Sequence, residues 1–235
     1  MSSPTNWMKE EYDDLVKKGF DWKPPVIGGP STGRAIIDDK ERIMLCANNY
    51  LSMSNHPKVK QAAIDAVKSH GAGSGSVRPI AGNMDIHNEL EDTIARFKNR
   101  EAALYYQTGF AVNSGLIPQL AGKNDSIISD QLNHGSIIDG VRLSGVKKEN
   151  RTIYAHNDMG ELEDRLKEAT KKSEKTLVIS DGVFSMDGDI APLDEITKLA
   201  REYGAMTYID AVSYTHLRAH ETREDRGWRG GGGKK

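Results

Sequence analysis

Four polar residues follow shortly after apolar segments that have the length and composition of β-strands: His134, Asp181, Ser185 and Asp210. The carboxyl ends of parallel strands meet at one edge of a sheet, and ligands bind beyond that edge. A carboxylate such as Asp210 requires a positively charged partner or water there, and the protonated ring nitrogen of a cofactor would serve. A lone histidine such as His134 is more often a helix cap or a surface residue. The pattern therefore predicts a ligand site in which the role of His134 depends on its neighbours.

A second feature is a transition from strand to helix. Ala102–Tyr106 has the pattern of a strand, and Gly109 begins a helical pattern. Thr108, Gly109 and Phe110 lie at this transition, where free backbone N–H groups and the positive end of the helix dipole would face a ligand. This arrangement suits a phosphate group, although an ordinary turn between a strand and a helix has the same sequence features.

The segment Gly71–Arg78 is a glycine-rich loop that ends in a cation. Glycines let the backbone approach a ligand closely, and clustered amides bind anions. A flexible connection between two helices is the alternative. Asp187-Gly188-Asp189 could indicate calcium, but the segment lacks the further oxygen ligands and the closing glutamate of an EF-hand. We therefore predict no metal site.

Short apolar strands alternate with helices through most of the chain. The predicted strands are Ala102–Tyr106, Ser126–Ser129, Thr152–Ala155, Thr176–Ser180 and Met206–Ile209. The predicted helices are Ile86–Phe97, one that begins at Gly109, Ser136–Leu143, Gly160–Lys171 and Leu193–Tyr203. This alternation predicts an α/β fold with a mostly parallel sheet that is covered by helices on both faces.

The first part of the chain has a different organisation. It predicts an amphipathic helix over Trp7–Gly19, strands at Arg34–Ile37 and Arg42–Leu45 around an Asp38-Asp39-Lys40 turn, and a helix from His56. We expect three parts: residues 1–45 with a helix, a linker and short strands, a large domain over 46–210, and a tail over 211–235 in which no period survives.

The bulk composition excludes several classes of protein. A formal net charge of -2 gives no electrostatic case for nucleic acid or an anionic membrane surface. A single cysteine, Cys46, excludes an internal disulfide framework and suits a reducing cytoplasm. No apolar run is long enough to span a bilayer, and Met1–Glu11 lacks the features of a secretory signal. We therefore expect a cytoplasmic protein with no nucleic-acid or membrane partner.

The motifs, taken in order over Phe20–Asp210, resemble the α-oxoamine synthases, a branch of the fold-type I enzymes that use pyridoxal 5′-phosphate (PLP). The resemblance is carried by Asn48–Leu51, Gly71–Arg78, Met84–His87 with Glu89–Glu91, Thr108–Phe110, Asn133–Gly140 and Asp181–Leu193. Within the branch, Gly73–Gly82 followed by Met84–His87 is most similar to the glycine C-acetyltransferases, also called 2-amino-3-ketobutyrate coenzyme A ligases. The 8-amino-7-oxononanoate synthases of biotin biosynthesis are the alternative.

The resemblance implies a role for each candidate residue. Thr108, Gly109 and Phe110 would hold the PLP phosphate, His134 would stack on the ring, and Ser185 would contact its phenolic oxygen. Asp181 would support the ring from the same loop as Ser185. Asp210 would keep the ring nitrogen protonated, so that the ring accepts electrons from the substrate. Asn48 would contact the amino-acid carboxylate, and Arg78 would lie near a dimer interface and the acyl-CoA.

The resemblance also implies the fold and the reaction. The fold would be the large domain of the aspartate aminotransferase-like PLP-dependent transferases, without the C-terminal small domain. The reaction would condense glycine with acetyl-CoA to give 2-amino-3-oxobutanoate in a homodimer. The second reading is an 8-amino-7-oxononanoate synthase, and a third is a non-catalytic fragment that binds PLP or a phosphate.

The sequence departs from the family pattern after Asp210. The family continues with an acidic residue, alanine and histidine, and later with the lysine that holds PLP, whereas this chain reads Ala211-Val212-Ser213-Tyr214. We therefore expect that the family sequence stops after Asp210 and that the tail over 211–235 lies outside it. We also expect the chain by itself to lack activity, since no residue matches that lysine.

Overall fold

The computed structural model describes residues 3–211. The predicted tail therefore lies outside the described residues, except for Ala211. The described residues form two compact units whose boundary falls between Gly73 and Ser74. In this described part of the chain, no helix is both long enough and apolar enough to cross a membrane.

The first unit contains two helices and a hairpin. Helix α1 spans Asn6–Lys17, helix α2 spans Pro57–His70, and strands β1 (Arg34–Ile37) and β2 (Lys40–Ile43) pair antiparallel. The turn residues Asp38 and Asp39 have φ angles of 49° and 61°. Two residues in the left-handed region match the twist of a two-residue hairpin. Strand β2 therefore begins at Lys40, two residues earlier than the predicted Arg42.

The second unit contains the predicted parallel sheet. Its helices are α3 (Asp85–Phe97), α4 (Gly109–Leu120), α5 (Gly135–Leu143), α6 (Met159–Lys172) and α7 (Leu193–Glu202). Its strands are β3 (Ser126–Asp130), β4 (Arg151–Tyr154), β5 (Thr176–Asp181) and β6 (Met206–Asp210), which pair parallel in the order β4-β3-β5-β6. A short π-helical turn covers Arg78–Gly82 before α3.

The core of this unit lies on both faces of the sheet, because successive side chains of a strand point to opposite faces. On one face Ile127 of β3 packs with Ile117 of α4 and Ile137 of α5. On the other face Ile128 packs with side chains of α6 and α7, among them Leu162 and Ile196. The predicted covering of the sheet by helices on both faces is confirmed.

One predicted strand is absent. Ala102–Tyr106 has no regular secondary structure, although the predicted helix that follows it begins at Gly109. A strand requires a neighbouring strand for its hydrogen bonds, and here the Tyr105 N–H instead donates to the Glu91 carboxylate at 2.8 Å. The strand prediction was therefore wrong. The other predicted helices and strands of this unit are observed with bounds that differ by one residue at most.

Candidate cofactor site

Asp181 and Asp210 end two neighbouring strands at the same height in the sheet. Their Cα atoms are partners in the parallel register of β5 and β6. The Gly182 N–H donates to the Asp210 carbonyl oxygen at 2.7 Å, so the two strand ends are joined just where the strands stop. The sequence prediction that strand-end carboxylates meet at one edge of the sheet is confirmed for this pair.

A buried asparagine holds the Asp210 carboxylate in place. The side-chain amide of Asn113 donates to Asp210 Oδ2 at 2.8 Å and to Ser136 Oγ at 2.9 Å. Its carbonyl oxygen accepts from the Tyr208 hydroxyl at 2.6 Å. Both amide protons and the oxygen of Asn113 are therefore engaged, which leaves its side chain one orientation. Asn113 lies one turn after Gly109 in α4, so the helix that begins at the predicted phosphate site also orients Asp210.

The His134 ring is oriented by the start of its own helix. His134 is the N-cap of α5, and its Nδ1 accepts from the Ser136 N–H at 3.2 Å. Ser136 Oγ lies 2.7 Å from Nδ1, and because this oxygen already accepts from Asn113, its proton is available to Nδ1. An Nδ1 that accepts hydrogen bonds places the proton of the neutral ring on Nε2. A continuous chain of hydrogen bonds thus links His134 to Asp210.

A second asparagine joins the His134 turn to Asp181. The buried Asn133 side chain donates to Ser129 Oγ and to the Ile179 carbonyl oxygen, each at 2.9 Å, and accepts from the Asp181 N–H at 2.8 Å. The His134 N–H donates to Asp181 Oδ2 at 2.8 Å. These contacts bring His134, Asp181 and Asp210 into one cluster.

Burial and neighbouring carboxylates act against the charged form of Asp181 in this cluster. Burial raises the pKa of the Asp181 carboxyl from 3.8 to about 6. The nearby charges of Asp210 and Asp130 also raise this pKa, whereas the hydrogen bond from the His134 N–H lowers it. Burial, followed by the charge of Asp210, also raises the pKa of the Tyr208 hydroxyl to about 12. Among residues 3–211, no lysine or arginine forms an ion pair with Asp181. A positively charged group beside the two carboxylates would relieve this repulsion.

We expect Asp181→Asn to be more stable than the wild type at neutral pH. The folded-state pKa of Asp181 lies above its ordinary 3.8, so stability falls as the pH rises from about 4 to about 6 and stays lower above that. Removing the charge should therefore add about 2–3 kcal/mol to the free energy of unfolding at pH 7.5, since a shift of about two pKa units corresponds to about 3 kcal/mol. The asparagine oxygen can still accept from the His134 N–H.

Urea unfolding of the variant and the wild type at pH 7.5 and pH 5 tests this expectation. The stability difference should shrink at the lower pH. Asp187→Asn is a matched control, because Asp187 is exposed and lies in the loop that follows Asp181. If the free energies of unfolding of the variant and the wild type differ equally at both pH values, the ionisation of Asp181 does not cause the difference in stability.

The start of α4 presents unpaired backbone donors. Thr108 is the N-cap, and its hydroxyl oxygen accepts from the Ala111 N–H at 3.0 Å. The first N–H groups of a helix, here those of Gly109 and Phe110, have no partner within the helix. With the positive end of the helix dipole, these groups are suited to bind an anion.

Ser185 lies in the loop after β5, four residues beyond Asp181, and is exposed. In the first unit, Asn48 is exposed, whereas its neighbour Asn49 donates to the Ser31 carbonyl oxygen at 2.8 Å and to Ser54 Oγ at 2.7 Å. The implied roles of Asn48 and Ser185 stay predictions.

Arg78 lines a cleft of about 510 Å³ together with His87, Tyr106 and other residues. Its guanidinium is already paired, because Nη2 donates to the Glu91 carboxylate at 3.0 Å and Nη1 binds the other oxygen. The hydrogen bond from Arg78 lowers the pKa of Glu91 to about 2. Arg78 therefore holds the turn before α3 against α3, and its implied contact with acyl-CoA stays a prediction.

In the part of the chain that the structure describes, no cluster of three or more His, Cys, Asp or Glu side chains could hold a metal ion.

The family model for aminotransferase class I and II matches residues 40–219. The chain belongs to this family. Among curated proteins, it is 52% identical over 204 residues to an 8-amino-7-oxononanoate synthase of Alkaliphilus metalliredigens, with 87% of the chain and 51% of the relative covered. It is also 52% identical over 205 residues to the enzyme of that name from Thermoanaerobacter pseudethanolicus, with the same shares covered. The chain thus spans about half the length of the curated relatives it matches.

A solved structure in this aminotransferase family has the same fold. The serine palmitoyltransferase of S. paucimobilis, solved with PLP and myriocin bound, superposes with a TM-score of 0.78 and 31% identity, over 87% of this chain and 51% of the other. The predicted fold of the PLP-dependent aminotransferases is confirmed, as are relatives among the α-oxoamine synthases. The curated names agree with the alternative branch of the resemblance and give no support to glycine C-acetyltransferase.

Sequence reasoning missed three residues of the site: Asn113, Ser136 and Tyr208. Each is an ordinary polar residue within a helix or strand, and the contacts of Asn113 with Ser136, Tyr208 and Asp210 join residues that are distant in the sequence. For Asn113 a weak signal was available, because a buried asparagine one turn after a predicted phosphate site needs polar partners.

Proposed function

We propose that the chain is the cofactor-binding part of a PLP-dependent enzyme of the 8-amino-7-oxononanoate synthase type, which joins an amino acid to an acyl thioester. The observation that carries the proposal is the linkage of Asp210, through Asn113, to the helix whose N-terminus is free to bind a phosphate. The 52% identity to curated synthases supports the choice within the family. A homodimer, which the resemblance implies, is part of the same proposal.

PLP is the cofactor of this family, and the residues present fit it. The Gly109 and Phe110 N–H groups supply donors for its phosphate, and the fixed His134 ring supplies a flat surface. Asp210 supplies a negative charge that would keep a pyridine nitrogen protonated, and burial, together with the charge of Asp210, raises the pKa of the neighbouring Asp181 carboxyl. When bound, PLP with a protonated ring accepts the electron pair left at the amino-acid α-carbon.

The residues of this chain would control where protons and charge lie. Asn113 donates to Asp210 Oδ2 and so fixes the orientation of this carboxylate, which would pair with the ring nitrogen. His134 keeps the proton of its neutral ring on Nε2, because Nδ1 accepts from Ser136. The burial of Asn113, Asn133 and Asp181 excludes water beneath the site and strengthens these interactions.

The product named by the relatives defines the substrate class. In 8-amino-7-oxononanoate the ketone is at C7 and the amino group at C8, so the new bond joins an acyl carbon to an amino-acid α-carbon. The methyl group at C9 indicates alanine as the amino acid. A seven-carbon acyl thioester and alanine then give the product, carbon dioxide and a free thiol. Glycine and acetyl-CoA would serve the glycine C-acetyltransferase reaction instead.

We expect the protein that carries this sequence to use alanine with a seven-carbon dicarboxylic acyl thioester at least about tenfold better than glycine with acetyl-CoA. A pocket shaped for one extra methyl group discriminates by about 10-fold or more. Release of free thiol, measured as kcat/KM for each pair of substrates, tests this. A preference for glycine and acetyl-CoA would favour glycine C-acetyltransferase.

The second candidate is a non-catalytic module that binds a phosphate compound through the start of α4. The observation that favours it is the pair of free N–H groups at Gly109 and Phe110, which suffice for an anion without Asp210. The two candidates differ in whether binding depends on Asp210.

A further inference from the structure

A second cluster of ionisable groups lies at the same edge of the sheet, one strand away from Asp181. His156, which follows β4, places Nδ1 3.0 Å from Asp130 Oδ1 and Nε2 3.3 Å from Asp189 Oδ2. Asp130 ends β3, and Asp189 lies in the loop that follows β5. His156 therefore connects the fixed edge of the sheet to that loop.

The Asp130 side of this cluster is rigid. The Asp130 side chain is fully buried, and its carboxylate also accepts from the Leu132 N–H at 2.8 Å and from the Asn157 N–H at 3.1 Å. The His156 ring in turn packs edge-on against Phe184, with ring centroids 4.4 Å apart and an interplanar angle of 87°. Phe184 is buried in the core on that face of the sheet. His156 is thus held on a fixed base.

The loop that His156 contacts is the one that carries Ser185. Its base is closed by the Ala191 N–H, which donates to the Gly182 carbonyl oxygen at 3.1 Å. Within it, the Phe184 N–H donates to the Asp189 carbonyl oxygen at 2.9 Å. His156 touches Phe184 and Asp189, the two residues that flank the Ser185 turn. The residues between them, 185–188, are exposed.

We propose that His156 is a positioning residue that holds the Ser185 loop in place through a protonation-dependent bond to Asp189. The contribution of Ser185 to cofactor binding rests on the proposed function. The attachment of the loop by His156 does not, because all its contacts lie within the described residues.

The two protonation states of His156 differ in what Nε2 can do. In both states Nδ1–H can donate to Asp130. In the neutral ring Nε2 is an acceptor and can accept a hydrogen bond from the Asn157 amide nitrogen, 3.1 Å away. It then has no proton to donate to the Asp189 carboxylate. In the protonated ring Nε2–H donates to Asp189. Only the protonated ring therefore bonds the loop to the sheet.

The surroundings favour the protonated ring. Burial lowers the pKa of His156, but hydrogen bonds and charge interactions with Asp130 and then Asp189 outweigh it, and the net effect is a raised pKa. His156 also contacts the Phe184 ring and the Asn157 side-chain amide. Glu161 of α6 accepts from the N–H of Ala155, the residue before His156, at 2.7 Å. A raised histidine pKa means that the bond is fully present below about pH 6.5. It is lost as the pH rises through the raised value.

The first test is amide hydrogen exchange of the loop across the titration of His156, which is followed by NMR. We expect the protection of the Phe184 and Gly188 amides, corrected for intrinsic exchange, to fall about threefold to fivefold as His156 loses its proton. Asp189→Ala, which leaves no acceptor or donor for Nε2, should give the low protection at every pH, whereas the control Asp187→Ala should behave as the wild type. Protection that does not follow the titration, or equal behaviour of the two variants, would overturn the proposal.

Two substitutions of His156 separate its two contacts. His156→Asn retains a donor near the Nδ1 position and loses the one that reaches Asp189, so it should show low protection. His156→Gln places an amide donor near the Nε2 position, so it should retain part of the protection without a pH dependence. The opposite order would contradict the bond to Asp189 as the cause.

The second test links the loop to the cofactor site. The probe is pyridoxamine 5′-phosphate, which has the ring and the phosphate of PLP but no aldehyde to react with surface lysines. Asp189→Ala should weaken its binding about threefold at pH 6, and the double variant with Ser185→Ala should bind no more weakly than Ser185→Ala alone. Additive losses would overturn the positioning role. No binding by the wild type would contradict the proposed function, while the exchange test would still decide on the attachment of the loop.

Discussion

Asp210→Asn is expected to weaken the binding of pyridoxamine 5′-phosphate by about tenfold to a hundredfold. A hydrogen bond to a charged group contributes about 1.5–3 kcal/mol, and asparagine cannot keep a pyridine nitrogen protonated. The substitution preserves the shape of the side chain, and its amide oxygen can still accept from Asn113, which lies 2.8 Å from Asp210 Oδ2. The loss therefore measures the charge and not a disrupted fold. Equilibrium dialysis with absorbance detection gives the dissociation constants.

Two further variants complete the measurement of Asp210. Gly109→Asp places a negative charge at the start of α4 and should abolish binding in either candidate function, because it repels the phosphate. Asp187→Asn removes an exposed charge and should leave binding unchanged. If Gly109→Asp abolishes binding while Asp210→Asn binds as the wild type does, the chain is a phosphate-binding module. The proposed enzyme-type site responds to both substitutions.

Gly140→Ala is expected to lower the free energy of unfolding by about 1–3 kcal/mol, since overpacking in a close contact costs this much. A Cβ on Gly140 of α5 would lie 2.4 Å from the Asn113 carbonyl oxygen and 3.0 Å from its carbonyl carbon in α4. Neither backbone can move without shifting the Asn113 side chain, which orients Asp210. The same variant should therefore also weaken the binding of pyridoxamine 5′-phosphate. Urea unfolding measures the first effect and dialysis the second.

Gly135→Ala in the same helix is the matched control. A Cβ at Gly135 meets no other atom within 4 Å, so the substitution should be neutral or raise stability by up to about 1 kcal/mol through helix propensity. The opposite signs of the two variants distinguish the contact between α4 and α5 from a general effect of glycine in α5. A neutral Gly140→Ala variant would mean that the two helices separate at little cost.

Local patterns were sufficient for most of the fold. The apolar segment at Thr176 predicted a buried strand, and all six residues of β5 are buried. The helix that begins at Gly109 was also predicted, because helical periodicity is a local property of the sequence. The segment Ala102–Tyr106 has a strand pattern as well, but strand formation depends on a partner, and Glu91 takes the Tyr105 N–H instead.

Most of the site also followed from chain order. Strands that are linked by helices run parallel, so residues at their carboxyl ends meet, and Asp181 and Asp210 do so in register. Arg78 shows the opposite case. The resemblance implied that Arg78 lies near the acyl-CoA, whereas in the structure both oxygens of Glu91, thirteen residues away, pair with its guanidinium. The sequence does not state which of several acidic residues reaches a given cation.

The sequence by itself determined the alternation of strands and helices, the polar residues at the strand ends and the resemblance to a family. These properties depend on side-chain period, capping and residue order, which are local. Only the tertiary structure decided how Asp210 and His134 are oriented, through Asn113 and Ser136, and that His156 joins Asp130 to Asp189. Such contacts join residues up to 97 positions apart, and a hydrogen bond depends on distances of a few tenths of an ångström. The packing of α4 on α5 at Gly140 sets those distances.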